Sequence, residues 1–328
     1  MSSQREREYV HVRGATTEFE VADVFREYGD AYRRTYPVTA EQARVMKAIV
    51  TCRTAALGGQ IYECLNCGAV EFAYRSCRDR HCPKCGKFAR AQWVEQQKAL
   101  VLPVPYFHVV FTTDHAINAW LPANRAVIYN LLFTVAAAVL QAFAARELGG
   151  QLGITVVLHT WGQTLLQHIH VHCIVTGGAL SFDGRRWVRC APEYLFDIVA
   201  VSAAFRDAFC GGLVRLAEQG QLVGVTTEEA QTTVAAMQAK KWEVFAKPFE
   251  KPEAVIEYLS RYVHAVAISN YRITSIAGGQ VSFRYYDNQD GGKQKVLTLT
   301  AVEFIRRFLL HAEGAGAVRA HSLLRTAP

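Results

Sequence analysis

Gln167-His168-Ile169-His170-Val171-His172-Cys173-Ile174-Val175 is the stretch on which the fold turns, and Thr176-Gly177-Gly178 closes it. β-Branched residues alternate with histidines, the signature of a buried strand. Side chains alternate faces along a strand, so His168, His170 and His172 point the same way. Two imidazoles at i and i+2 on one face can hold one divalent cation. The same pattern also fits a strand with a polar, wet face, so a metal-centred site needs further parts elsewhere in the chain.

The 328 residues suit one large domain plus a smaller one. Hydrophobic content of 51% against 20% charged residues points to a packed core and away from disorder. A net charge of +7 favours a phosphate-bearing partner. Met1 to Glu8 is polar and charged, unlike a signal peptide, so a cytoplasmic location is expected. Six of the nine cysteines fall between Cys52 and Cys85, and clustering of that kind without an export signal favours metal binding over disulfides. Ala126 to Ala145 has the length of a membrane span. Asn130, Thr134 and Gln141 interrupt it and Arg125 and Arg146 bracket it, so it reads as a buried helix of a soluble protein.

Cys64-Leu65-Asn66-Cys67-Gly68 and Cys82-Pro83-Lys84-Cys85-Gly86 make two C-x2-C pairs separated by fourteen residues. Four thiolates at this spacing fit one tetrahedral zinc site, with a glycine after each pair permitting the tight turn. Cys52, Cys77 and His81 are left nearby. They are candidates for a second zinc site, or for exchange with the first set. Around the second pair, Arg75, Arg78, Arg80, Lys84, Lys87, Arg90 and Lys98 are opposed only by Asp79 and Glu95. That excess suggests a surface that tracks phosphates, with Tyr74, Phe88 and Trp93 available for stacking.

The remaining chain reads as an α+β protein with a mainly antiparallel sheet. Helices are expected at 17–35 and from the Thr39-Ala40-Glu41-Gln42 capping box to about Cys52. Pro103 and Pro105 mark a boundary before a strand at 106–113. A long helix follows at 122–148, then a strand at 153–161 that a short link joins to the histidine strand as an antiparallel neighbour. This link brings Gln163 and His159 near the histidine pair. Helices are expected at 197–219 and 227–239, and a strand at 241–247. Pro252 and Glu253 open a helix on which Tyr258 and Tyr262, spaced i and i+4, project from one face. A hairpin at 281–287 and 295–300 and a helix at 301–310 complete the pattern.

A cysteine-knuckle region, a His-hydrophobic-His strand and a Tyr-x3-Tyr helix in that order resemble the two-tyrosine HUH transposases of the insertion sequence 91 family. The likeness covers roughly residues 20–311. Its most specific stretches are Ser76 to Cys85, Leu158 to Gly178 and Tyr258 to Asn270. Asp290 to Lys293 and Glu303 to His311 also look like the family. The resemblance implies an HUH catalytic domain over 103–311, preceded by an N-terminal helical segment over 1–36 and a zinc-binding DNA-recognition domain over 37–102. An irregular tail over 312–328 looks truncated, because relatives usually continue with a basic, aromatic segment. Ala265 and Gln60 stand where the family commonly has arginine and histidine.

The resemblance further implies a metal-dependent endonuclease and strand transferase acting on single-stranded DNA in rolling-circle transposition. His170 and His172 match the metal pair, with Mg2+ or Mn2+ expected and Gln163 the first choice of third ligand, ahead of His159 and His264. Tyr258 or Tyr262 would form a 5′-phosphotyrosine. Zn2+ would be structural. The partners would be hairpin-bearing element termini and target DNA, in a nucleoid-associated protein. Asn124, Arg125, Arg261 and Arg272 are further candidates for phosphate contact. The rival readings are a rolling-circle replication initiator or relaxase, a catalytically weak DNA-binding remnant, and a cupin-like metal oxygenase.

Overall fold

The computed structural model describes residues 18–98, 101–193, 195–263, 266–287, 290–312 and 318–321. The side chains of 87–90, 97, 259, 261–263 and 318–321 fall outside the description, as do residues 264 and 265. The tyrosine pair is therefore described at Tyr258, while the side chains of Tyr262, Arg261, Lys87, Phe88 and Arg90, and all of His264, lie outside the described residues.

The chain opens with helices α1 (Val21–Thr35) and α2 (Ala40–Thr51), followed by a two-stranded ribbon, β1 (Gly59–Glu63) and β2 (Val70–Tyr74). Thr39 caps α2 through the reciprocal bonds with Gln42 that the capping box requires. Helix α3 (Gly86–Lys98) leads into β3 (Tyr106–Thr112). The apolar run becomes α4 (Leu121–Leu148), ended by Gly149 in the left-handed conformation. Then come β4 (Gly150–Gln151), β5 (Ile154–Trp161), β6 (Gln167–Thr176), β7 (Gly178–Ser181) and β8 (Trp187–Arg189). Helices α5 (Ile198–Glu218) and α6 (Thr227–Gln238), strand β9 (Val244–Phe249) and helix α7 (Pro252–Val263) follow. The C-terminal part holds β10 (Ile273–Ala277), β11 (Gln280–Asp287), β12 (Lys293–Thr300), α8 (Ala301–Leu310) and β13 (Val318–His321).

The central sheet has the order β13-β5-β6-β3-β9, with every neighbour antiparallel, so the α+β expectation holds. Strand β6 lies at its middle, and its alternation divides the molecule. Ile169, Val171, Cys173 and Val175 enter the main core, together with Phe107, Val109 and Phe111 of β3 and Val156 and Leu158 of β5. Helices α4 and α5 close that face through Leu132, Phe133, Leu140, Phe205 and Phe209. Each such side chain, fully withdrawn from water, contributes roughly 1.5–3 kcal/mol. The long apolar stretch is thus the core helix that the sequence suggests.

The opposite face carries the histidines. Part of it is covered by α7, where Val255 and Ile256 pack with Val157, Ile174, Tyr106 and Trp93 of α3. Trp93 is therefore occupied in packing and is not the stacking platform its sequence position suggests.

A second core joins the two ends of the chain. Val24, Phe25, Val45 and Met46 of α1 and α2 pack with Val281, Phe283, Phe304, Ile305 and Phe308 of β11 and α8. The linear boundary at 102 is crossed by this packing. Cys52 and Cys82 are buried in the same core.

Candidate metal centres and nucleophile

Antiparallel pairing of β5 and β6 sets His159 directly opposite His170 and Val157 opposite His172. One ligating nitrogen from each of His159, His170 and His172 lies within 4.8 Å of the others. The turn between the strands is short: Gly162 N–H donates to the Leu166 carbonyl at 3.0 Å. Gln163 sits exposed in that turn, off the ladder. The third nitrogen gathered beside the pair is that of His159, while Gln163, the first choice from the sequence, lies in the turn. Arg272, Arg307 and His311 hold the turn by donating to the carbonyls of Gln163, Thr164 and Leu165 at 2.5, 3.2 and 3.2 Å.

Arg272 is thus a clasp on the turn, with its Nε on the Arg284 carbonyl as well. Asn124 is likewise used structurally. Its amide donates to the Trp120 and Val223 carbonyls and its Oδ1 accepts from Val223 N–H, which pins the loop after α5. Arg125, the next residue of α4, is half-buried.

Strand β3 adds a fourth imidazole that the sequence did not single out. His108 Nε2 lies 2.8 Å from His172 Nδ1, with the two rings stacked at 5.0 Å. The Tyr258 ring meets His108 edge-on at 5.0 Å. Strand β9 places Lys247 opposite His108, and its Nζ stands 5.8 Å from the Tyr258 ring centroid. The rings then continue away from Tyr258: His172 to His170 at 4.9 Å, His170 to His168 at 5.0 Å, and His168 to His115 at 5.1 Å. A row of imidazoles thus runs across one sheet face, with a phenol at one end.

The electrostatics suit cation binding. Burial is the largest cause holding His170 down at about 4, and it holds His159 and His172 well below the ordinary 6.5, with neighbouring histidines adding to it. Neutral imidazole is the ligating form. His170 Nδ1 is 2.9 Å from the His168 carbonyl, which leaves Nε2 to face a cation. A pH prediction follows. His108 and His311 are also held at about 4 by burial. Between about 4 and 6.5 the unfolded chain binds more protons than the folded one, so stability rises with pH across that window. In cation-free buffer the urea midpoint should fall between pH 7 and pH 5; a constant or rising midpoint would contradict the burial of these rings.

The second metal centre differs from the one that spacing suggests. The sulfurs of Cys52, Cys77, Cys82 and Cys85 lie within 4.8 Å of one another. The Cys52–Cys85 and Cys77–Cys85 separations are 3.5 and 3.6 Å, close to the edge of about 3.8 Å that a tetrahedron with Zn–S near 2.3 Å requires. Burial pushes the Cys77 thiol up to about 12, a cost that a bound zinc ion offsets.

Cys64 and Cys67 do not complete this set. They lie exposed at the connection of β1 and β2, where Gly68 N–H donates to the Cys64 carbonyl at 2.8 Å. The ribbon is a detour. The chain leaves at Cys52 and returns at Cys77, clipped by Arg53 N–H to the Arg75 carbonyl at 3.1 Å. His81 is buried but is not among the gathered donors, and its N–H caps Asp79 Oδ1 at 2.8 Å.

Of the basic residues, Arg75 and Arg78 line a depression of about 540 Å3 with Gln60 and Ser76. Arg80 is exposed, and Lys84 pairs with Glu20 at 2.6 Å. Tyr74 is exposed on the ribbon, on the same face as Ile61, Val70 and Phe72.

Two known families match the parts of the chain that hold these clusters. The family described as "Putative transposase" matches residues 153–327, which hold the three gathered histidines and α7, and the "Transposase zinc-binding domain" family matches residues 24–113, which hold the four gathered cysteines. The chain belongs to the insertion sequence 91 family of transposases.

Within this family it is similar to the "Putative transposase y4qJ" of Sinorhizobium fredii (strain NBRC 101917 / NGR234), at 46% identity over 93% of this chain and 80% of the relative. It is also similar to the "Transposase for insertion sequence element IS801" of Pseudomonas savastanoi pv. phaseolicola, at 27% identity over 82% of this chain and 66% of that relative. No solved structure matches. A transposase of this family processes DNA, and its zinc-binding match together with the four-cysteine cluster marks a structural zinc site.

Proposed function

We propose that this transposase nicks and transfers single-stranded DNA through a tyrosine ester. The observation that carries the reading is the convergence of His159, His170 and His172 beside Tyr258, with His108 between. His159, His170 and His172 would hold Mg2+ or Mn2+, which supplies charge to the non-bridging oxygens of a bound phosphodiester. Imidazole donors favour Mn2+ of the two. In the ligating form of His172, its Nδ1–H donates to His108 Nε2 and so fixes the ring's orientation.

Tyr258 is the described nucleophile candidate, with Tyr262 one turn further along the same helix. Its phenol must lose a proton as it attacks, and the Lys247 ammonium close by favours the developing phenolate. The ester formed keeps the phosphodiester's reactivity, so a 3′-hydroxyl can reclaim the phosphate without a nucleotide cofactor. Two tyrosines would let one site hold two DNA ends. The basic surface with Arg75, Arg78 and Arg80, beside the exposed ribbon aromatics, would grip the element's terminus by phosphate contact and stacking. Hairpin-bearing ends fit such a reader of shape.

Incubation with labelled single strands from the element's ends and Mn2+ should yield a protein-linked DNA species on denaturing gels. Tyr258→Phe with Tyr262→Phe should reduce it to background. Strand cleavage that survives the double substitution would remove the tyrosine mechanism and favour the reading of a DNA-binding remnant.

A further inference from the structure

A cleft of about 260 Å3 opens at the end of β6 farthest from Tyr258, and the reaction proposed above does not yet use it. His115, Asn118, Leu166, Gln167, Arg306 and Leu310 line it. His115 bridges the cleft to the row of imidazoles, its Nε2 standing 3.4 Å from His168 Nδ1. Asn118 donates through Nδ2 to the Gln167 carbonyl at 3.2 Å. Its Oδ1 is buried with no hydrogen-bond partner among the described residues. A buried acceptor without a donor costs about 1–3 kcal/mol, so a ligand N–H that reaches it is favoured. Leu166 is half exposed, at 49%. An apolar wall, an aromatic ring, an unpaired buried acceptor and Arg306, whose Nε and one Nη bond Glu303 at 2.6 and 2.8 Å and leave its other Nη, together suit one nucleotide.

The direction of the row decides which nucleotide. In-line displacement places attacking and departing oxygens on opposite sides of phosphorus. The Tyr258 Oη–P bond forms as the P–O3′ bond breaks. The phenol gives up one proton and the 3′ oxygen gains one, so nothing else is consumed. Tyr258 stands at one end, followed by His108, His172, His170, His168 and His115. An oxygen leaving from a phosphate centred over His170 and His172 therefore departs toward His168 and the cleft.

We propose that this cleft receives the nucleotide immediately 5′ of the cut, the one that keeps the 3′-hydroxyl. Its base lies between Leu166 and Leu310 with a donor on Asn118 Oδ1, and Arg306 faces its own 5′-phosphate. The cleft would retain the free 3′-hydroxyl end after cleavage, ready for transfer. This assignment rests on the tyrosine-ester reading.

The test uses the full chain and a single-stranded oligonucleotide that it nicks, with the cut mapped from the length of the 3′-hydroxyl product. Fluorescence anisotropy with the Tyr258→Phe, Tyr262→Phe chain and Mn2+ then measures binding of oligonucleotides carrying one abasic site at each position around the cut. Loss of the base immediately 5′ of the cut should weaken binding roughly 10-fold, as expected for one stacked base. With Asn118→Ala and Leu166→Ala added, that same abasic site should cost less than about 2-fold, since the base has already lost its pocket. Penalties at other positions should persist, which reports that the variant is folded. A normal tyrosine-linked product with a 5′-side penalty that the cleft substitutions leave intact would overturn the cleft assignment alone. So would coupling to the base 3′ of the cut. Absence of any tyrosine-linked product would overturn the nuclease reading and this proposal with it.

Discussion

His159→Ala is expected to weaken Mn2+ binding at least 100-fold, while Gln163→Ala leaves it within about twofold; losing even a residue that only orients a ligand costs 10–100-fold. Strand register sets the difference. His159 faces His170 across the β5–β6 ladder, and both are buried on the sheet face that α7 partly covers. Gln163 lies in the exposed turn, where Arg272 holds its carbonyl. Calorimetric titration with Mn2+ separates the two, and adduct formation should fall in parallel for His159→Ala. His159→Gln, which retains a neutral donor, should recover part of the affinity. Equal losses for Gln163→Ala and His159→Ala would return the third ligand to the turn.

The same register explains what could and could not be seen beforehand. Strand β6 was legible because its alternation is local: histidines on one face, Ile169, Val171 and Cys173 on the other. His159 was harder to place from the sequence. Reflection through the Gly162–Leu166 bond pairs His170 with Leu158, and only the register shift between His159 and Trp161 sets His159 opposite it. Proximity along the chain pointed to Gln163 instead. His108 and Lys247 had no such signal. They arrive on β3 and β9, with His108 lying 64 residues from its neighbour His172 along the chain, and only the strand order brings them to Tyr258. Helices α4, α5, α6 and α8 follow apolar spacing and caps, including Asp197, Thr226 and Thr300. The ribbon of β1 and β2 left little trace, because all ten of its residues are exposed and no alternation of burial marks it. Its presence is what misleads the cysteine spacing.

Cys52→Ser and Cys77→Ser should each lose the tightly held zinc and lower the melting temperature by more than about 10 °C, whereas Cys64→Ser with Cys67→Ser should retain one zinc per chain. The size follows from where the cluster sits. Cys52 ends α2, and Cys52 and Cys82 are buried against α1, α2 and α8, so the ion fastens the core that joins the two ends of the chain. A structural zinc contributes on the order of 10 kcal/mol to such a fold, and about 1 kcal/mol moves the melting point of a domain this large by roughly 2–4 °C. The consequence reaches the reaction. Cys85 is followed directly by α3, whose Trp93 packs on Val255 and Ile256 of the tyrosine helix and whose Lys98 meets Glu257 at 3.4 Å. Loss of the knuckle therefore loosens the support under Tyr258, and adduct formation by Cys77→Ser should drop even at temperatures where the chain remains folded and still binds Mn2+. Zinc content by atomic absorption, melting by circular dichroism and adduct yield on one set of proteins decide it. A zinc-free Cys77→Ser chain with undiminished adduct formation would cut the connection between knuckle and nucleophile, and zinc lost from the Cys64, Cys67 variant would restore the assignment made from spacing.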